Sequence, residues 1–271
     1  MSTIVSERIL SNPAIAIDHA GSGELLIFMH GIGGNRTNWT EQVELFSKDF
    51  HAVAWDARGY GNSDDYEGPL DFSDFSRDLA KLLDHFGVDK AHICGLSMGG
   101  RIAQDFYALF PERVKTLTLV ATFSGFDKFT LEEKQRFIDL RKKPLLEGKE
   151  PKDIAPVVAK TLIGPYSSAD KYERLVKSME ALHKDSYIKT VEATTMYDRS
   201  LNLKNISVPT KLIYGEHDSL TGPTLGREMA DEIPGADYTQ IPRSGHLINM
   251  EEPELFNACL SEFLMQHRQS A

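Results

Sequence analysis

The chain has 271 residues, 41% hydrophobic and 26% charged, with a formal net charge of −10. That length allows one large α/β domain or two small ones, and the composition is that of a globular protein with a core to bury. The acidic balance disfavours nucleic acid and anionic membrane as partners, because both require a basic surface.

The opening stretch, Met1-Ser2-Thr3-Ile4-Val5-Ser6-Glu7-Arg8, lacks the charged-then-apolar pattern of a secretory signal. No apolar run approaches the length of a membrane span, and a cytoplasmic location is expected. Residues 15–17 and 25–29 are strand-like apolar runs, and the second leads into His30-Gly31-Ile32-Gly33-Gly34. A helix is expected over 38–47 and a strand over 51–55, followed by Asp56-Ala57-Arg58-Gly59-Tyr60-Gly61-Asn62-Ser63. Residues 72–86 carry Phe75, Leu79, Leu82, Leu83 and Phe86 on one helical face. A short buried strand is expected over 91–94. The helix predicted over 98–110 places Ile102, Ala103, Phe106 and Phe110 at helical spacing, and Pro111 ends it. Residues 114–120 read as the next strand. Such alternation predicts a mainly parallel, twisted sheet with helices on both faces, an α/β fold.

Near Ser124 the pattern changes. Helices are expected over 131–140, 153–162, 168–182 and 185–199, punctuated by Lys143-Pro144 and Gly164-Pro165, with no convincing strand from 130 to 200. The sheet pattern then resumes with a strand over 210–214, a helix over 224–233, a strand over 237–241 and a closing helix over 253–266. The expected organisation is a core domain of residues 1–123 and 203–271 with a helical cap, 124–202, inserted into it. The cap carries Phe126, Phe129, Phe137, Leu145, Leu162, Tyr166, Met179, Tyr187 and Met196. Some of these must pack helix on helix, and others are expected to line a pocket.

The chemistry centres on Gly95-Leu96-Ser97-Met98-Gly99, which fits G-x-S-x-G between a strand and a helix. Glycines at 95 and 99 let backbone pass close around a strained serine. A serine hydroxyl is a poor nucleophile near neutral pH and needs a general base, which in turn needs an orienting acid. Asp218 follows the strand 210–214 and His246 follows the strand 237–241, so both arrive at the edge where parallel sheets place their sites. Ser97, Asp218, His246 is also the chain order of one triad class. Among the nine histidines, His217 adjoins Asp218, His85 and His92 lie within a helix and a strand, and His267 is in the tail. For the acid, Glu216 and Asp127 compete with Asp218. The oxyanion donors expected are the backbone N–H groups of Met98 and Ile32, with Gly33 as alternative to Ile32. His30 is expected to be structural. Cys94 and Cys259 have no metal-ligand spacing and are expected to be buried free thiols.

With these motifs in place, the chain resembles α/β-hydrolase-fold enzymes over nearly its whole length, most closely the enol-lactonase, carboxylesterase, haloperoxidase-like and carbon–carbon bond hydrolase branch. The resemblance implies that Asp56 to Ser63 is a structural turn. Ser97 stands where halide-displacing and epoxide-opening relatives carry aspartate, which argues against those activities. It further implies a small-molecule ester or lactone substrate cleaved through an acyl-enzyme, with no metal and no organic cofactor. Two alternatives stay open: carbon–carbon cleavage of a ring-cleavage diketone, whose enzymes often carry a proline after the His-Gly pair that is missing here, and a receptor-like ligand-binding role. A dicarboxylate substrate would want a cation. Arg101 is one candidate, although a surface or ion-paired helix residue is the preferred reading of it.

Overall fold

In the computed structural model, which describes residues 3–126, 129–197 and 203–268, the apolar runs pair into one sheet. Its strands are β1 (Val5–Ile9), β2 (Ile15–Ala20), β3 (Leu25–Met29), β4 (His51–Trp55), β5 (Ala91–Leu96), β6 (Val114–Val120), β7 (Thr210–Gly215) and β8 (Asp237–Ile241). The order is β1-β2-β4-β3-β5-β6-β7-β8. β1 and β2 pair antiparallel, as do β2 and β4, and every later pairing is parallel. All five residues of β3 are buried, as are all six of β5 and β7. Successive side chains point to opposite faces, so complete burial means that both faces are covered. The register sets Met29 beside Gly95, Leu96 beside Val120 and Gly215 beside Ile241. The carboxyl ends of β3, β5, β6, β7 and β8 therefore form one edge.

The core helices are α1 (Thr40–Phe46), α2 (Ser73–His85) and α3 (Met98–Leu109) before residue 124. Four more, α4 (Leu131–Leu146), α5 (Pro151–Leu162), α6 (Ala169–Glu180) and α7 (Lys184–Met196), lie between β6 and β7 in the chain. α8 (Pro223–Glu232), α9 (Ile248–Glu251) and α10 (Pro253–His267) follow. α2 packs on α3 and α1 on α10, while α4 pairs with α7 and α5 with α6. An aromatic cluster joins β3 to α10: Phe28 stacks on Trp39 at 5.0 Å, and Trp39 meets Phe256 at 5.9 Å.

The structure departs from the sequence reading in three places. β1 is a strand although its residues are mostly polar, because it sits at the sheet edge with only Ile9 buried. Lys143-Pro144 does not end a helix. α4 begins at a capping box, where Thr130 Oγ1 accepts from Glu133 N–H at 3.2 Å, and it runs through Pro144 to Leu146. The missing Pro144 N–H frees a carbonyl in a stretch where Leu140 is largely exposed, so water can take its place. Both cysteines are free, but only Cys94 is buried, and Cys259 is half-buried on α10. Asp127 and residues 198–202 lie outside the described residues. Among the described residues no helix is long and apolar enough to cross a membrane, and no cluster of His, Cys, Asp and Glu is arranged to hold a metal ion.

Candidate active site

Ser97 joins β5 to α3 with φ 54° and ψ −112°, a left-handed conformation unusual for a residue with a Cβ. Three hydrogen bonds hold it there. Its N–H donates to Val120 O at 2.9 Å, its carbonyl accepts from Thr122 Oγ1 at 2.7 Å, and the same carbonyl accepts from Arg101 N–H at 3.1 Å. The glycines make the turn possible: a Cβ at Gly95 would collide with Gly99 O, and one at Gly99 with Met29 O. Met98 is the first residue of α3, so its N–H has no acceptor within the helix.

The loop after β3 lies against the serine, since a Cβ at Gly31 would stand 3.3 Å from Ser97 Cβ. Gly34 N–H donates to Gly31 O at 3.0 Å and closes a tight turn around Ile32 and Gly33. His30 anchors this loop. Its Nε2 accepts from Ala57 N–H at 3.1 Å, which leaves the proton on Nδ1 for Gly31 O at 2.8 Å. Burial lowers its pKa, so it stays neutral with both nitrogens engaged. The segment Asp56 to Ser63 is likewise a scaffold. Buried Asp56 accepts from Arg36 N–H at 2.7 Å and Asn62 N–H at 2.8 Å, and Arg58 grips Asp78 with two bonds of 2.6 and 2.9 Å.

His246 Nδ1 lies 2.8 Å from Asp218 Oδ2. Asp218 also accepts from Thr221 Oγ1 at 2.8 Å, Leu220 N–H at 2.8 Å and Thr221 N–H at 3.0 Å. Burial alone would raise the Asp218 pKa. The attraction and hydrogen bond of His246, with the two backbone donors, outweigh it and hold the carboxyl down at about 2. An ionised Asp218 only accepts, so Nδ1 carries the proton and Nε2 keeps its lone pair.

Ser97, His246, Ile32, Gly33 and Met98 all line one cavity of about 510 Å³. The competing residues that the structure describes do not. Exposed Glu216 accepts from Arg243 N–H at 3.0 Å, buried His92 bonds Thr116 Oγ1 at 2.8 Å, and His85 faces Glu7 at 3.2 Å. His217 meets the Tyr166 ring at a tilt outside the cavity, and His267 meets Phe263 edge to face. Of the apolar residues expected in the inserted segment, Phe126, Phe129, Phe137, Leu162, Met179 and Tyr187 line the cavity. Leu145 is buried away from it, and Tyr166 and Met196 are exposed.

Two residues differ from or escape the sequence reading. Arg101 is not a surface residue: it is 4% exposed, lines the cavity, donates to Thr194 O and is boxed by Phe72, Phe123, Phe126 and Tyr197. Glu251 was not singled out by any motif. Its buried carboxylate accepts from Gly245 N–H at 3.0 Å and Leu247 N–H at 2.9 Å, on either side of His246. It also accepts from Gly164 N–H at 2.7 Å and from Ser167 Oγ, both in the link between α5 and α6. One side chain thus ties the histidine loop to the inserted helices. A buried carboxylate surrounded by backbone donors leaves no periodic signal in sequence.

Comparison with known proteins identifies the family to which this fold belongs. The family described as the alpha/beta hydrolase fold matches residues 24–253. The chain is 27% identical over 250 residues to 3-oxoadipate enol-lactonase 2 of Acinetobacter baylyi, covering 90% of this chain and 91% of that one. It is 28% identical over 259 residues to the 2-hydroxy-6-oxononadienedioate/2-hydroxy-6-oxononatrienedioate hydrolase of Burkholderia vietnamiensis, covering 91% and 89%. A thermophilic esterase from Thermogutta terrifontis, solved with malate bound, superposes with a TM-score of 0.88 at 25% identity over 98% of this chain and 100% of that one. With the strand order, the serine turn and the matched span in agreement, the chain belongs to the α/β-hydrolase-fold family.

Proposed function

We propose that this protein hydrolyses a carboxylic ester or lactone, with Ser97 as nucleophile, His246 as general base and Asp218 as the carboxylate that orients it. The observation that carries this reading is the 2.8 Å contact between His246 Nδ1 and ionised Asp218, on a histidine that shares one cavity with a positive-φ serine. Ser97 Oγ gives its proton to His246 Nε2 and bonds the substrate carbonyl carbon. The Met98 and Ile32 N–H groups receive the oxyanion. The intermediate collapses, the leaving oxygen takes the proton from His246, and water attacks the acyl-enzyme by the same route. Residues 124–202 act as the cap that shapes the substrate side of the cavity. The names of an enol-lactonase and an esterase among the similar proteins support an oxygen-ester substrate.

The test is hydrolysis of 4-nitrophenyl acetate by the wild type and by Ser97→Ala, with labelling by a fluorophosphonate as a second readout. Loss of turnover and of labelling in a variant that keeps its circular dichroism spectrum is expected. Retained turnover in Ser97→Ala overturns the reading. Cleavage of a ring-cleavage diketone by a wild type that leaves every ester untouched would replace it with carbon–carbon hydrolysis.

A further inference from the structure

The cavity has the opposite charge to the chain around it. The protein carries a net charge of −10, yet the described residues lining the cavity include Arg101 and Arg141 and no aspartate, glutamate or lysine. Most of the remaining lining is apolar, with Phe126, Phe137, Leu162 and Met179 prominent. A chain rich in carboxylates whose described acidic residues all lie off one concave surface leaves an electrostatic niche for an anion.

Arg141 is the informative member of the pair. It projects from α4, is half-buried and stacks on the Phe137 ring at 3.5 Å from its centre. Among the described residues its one hydrogen bond goes from Nη1 to Phe137 O at 3.1 Å, and it has no carboxylate partner there. Arg36 and Arg58, also drawn into the protein, are matched with carboxylates, Arg36 with Asp18 and Asp56 and Arg58 with Asp74 and Asp78, while Arg101 is enclosed by rings and donates to Thr194 O. Burial pulls the Arg141 pKa below the ordinary arginine value, and the buried phenol of Tyr187 is the one group that offsets it. A guanidinium keeps its proton under these conditions, and a desolvated charge is stabilised by an anion placed against it. Its planar fork matches a carboxylate with two parallel bonds, whereas the Phe137 carbonyl engages a single nitrogen.

We propose that Arg141 is a carboxylate-binding residue of the cavity, and that the substrate is an ester or lactone bearing a carboxylate on an apolar body. The apolar body lies among Phe126, Leu162 and Met179, and the carboxylate completes the partner set of Arg141. This inference rests on the hydrolase reading of Ser97, so its test separates the two.

The experiment compares mono-4-nitrophenyl adipate, which carries a free carboxylate, with 4-nitrophenyl hexanoate, its neutral equivalent of equal chain length. The ratio of kcat/KM values is measured for the wild type, Arg141→Gln and Arg141→Lys. Because both esters meet the same protein in each variant, any general folding defect cancels from the ratio. The wild type is expected to favour the acid. Arg141→Gln is expected to lower the ratio by tenfold or more, mainly through KM for the acid, and Arg141→Lys to restore part of it. An unchanged ratio in Arg141→Gln overturns the proposal, and so does a wild type that favours hexanoate. Adipate alone, titrated against the fluorescence of Trp39 on the cavity wall, gives an independent readout. Saturable adipate binding that weakens in Arg141→Gln, with no ester turned over, supports the carboxylate site and removes the hydrolase reading. Ester turnover with an unchanged ratio does the reverse.

Discussion

Replacing Glu251 with alanine takes one acceptor group away from four donors at once. Three are backbone N–H groups, of Gly164, Gly245 and Leu247, at 2.7, 3.0 and 2.9 Å, and the fourth is the Ser167 hydroxyl. Leaving a buried donor unpaired costs about 1–3 kcal/mol, so the three backbone groups together lose about 3–9 kcal/mol. Removing a buried carboxylate recovers part of this, since its own desolvation cost disappears. A net destabilisation of about 4 kcal/mol follows, the usual result of breaking a buried charged network. For a chain of this size that corresponds to a fall in Tm of about 8 °C or somewhat more. Catalysis suffers separately, because two of the lost anchors flank His246. Its own N–H, which donates to Leu162 O at 2.9 Å, and Ser244 O, which accepts from His217 N–H at 2.8 Å, are then left to hold that loop. A misplacement near 1 Å costs about 100-fold in rate, so kcat should fall by about that factor with a much smaller change in KM. Thermal unfolding by circular dichroism and steady-state hydrolysis of 4-nitrophenyl acetate measure the two effects. Glu251→Gln keeps one oxygen acceptor and should recover about half of the Tm loss. A Glu251→Ala variant that melts within about 2 °C of the wild type and keeps its kcat would refute this role, since the four bonds would then be worth nothing measurable.

Two further substitutions have definite expected outcomes. Asp218→Asn exchanges an acceptor-only group for an amide, which can donate to His246 Nδ1 and move the proton to Nε2. The expected loss of kcat is on the order of 10⁴-fold with little change in KM, measured on the same ester. Because Asp218 is held at about 2, its own titration should not shape the wild-type pH–rate profile between about pH 4 and pH 8. His92 predicts an acid sensitivity of the fold. Burial, reinforced by Lys115, lowers its pKa to about 4 against the ordinary 6.5, with Glu24 opposing. The unfolded chain therefore takes up this proton first. The stability contribution is complete above about pH 6.5 and is lost as the pH falls towards about 4, by about 3 kcal/mol in all. Urea unfolding at about pH 7.5 and about pH 5 should show the wild type losing about 2 kcal/mol more than His92→Gln. Equal losses would remove His92 as the cause.

Much of this protein can be read from neighbouring residues. β3, β5 and β7 are legible because a strand buried on both faces must be apolar throughout. Ser97, Asp218 and His246 stand out because each follows a strand of the parallel sheet in a loop of turn-forming residues. These are local properties, since periodicity and turn chemistry involve residues a few positions apart. β1 carries no such apolar pattern because an edge strand needs only one buried side chain, and Pro144 does not end α4 because the stretch around it is open to water.

Partnership is another matter, and tertiary structure alone decided it. Arg101 reads as an ordinary helix residue until Phe72, Phe123, Phe126 and Tyr197 close around it. Glu251 reads as one of two adjacent glutamates until Gly164, 87 residues earlier, donates to it. Arg141 acquires its meaning only from the absence of acidic residues among the described lining of the cavity. The charge of a side chain is written in its residue type. Whether that charge is solvated, paired or left waiting for a ligand depends on which distant segments exclude water from it, and that is settled only when the chain has folded.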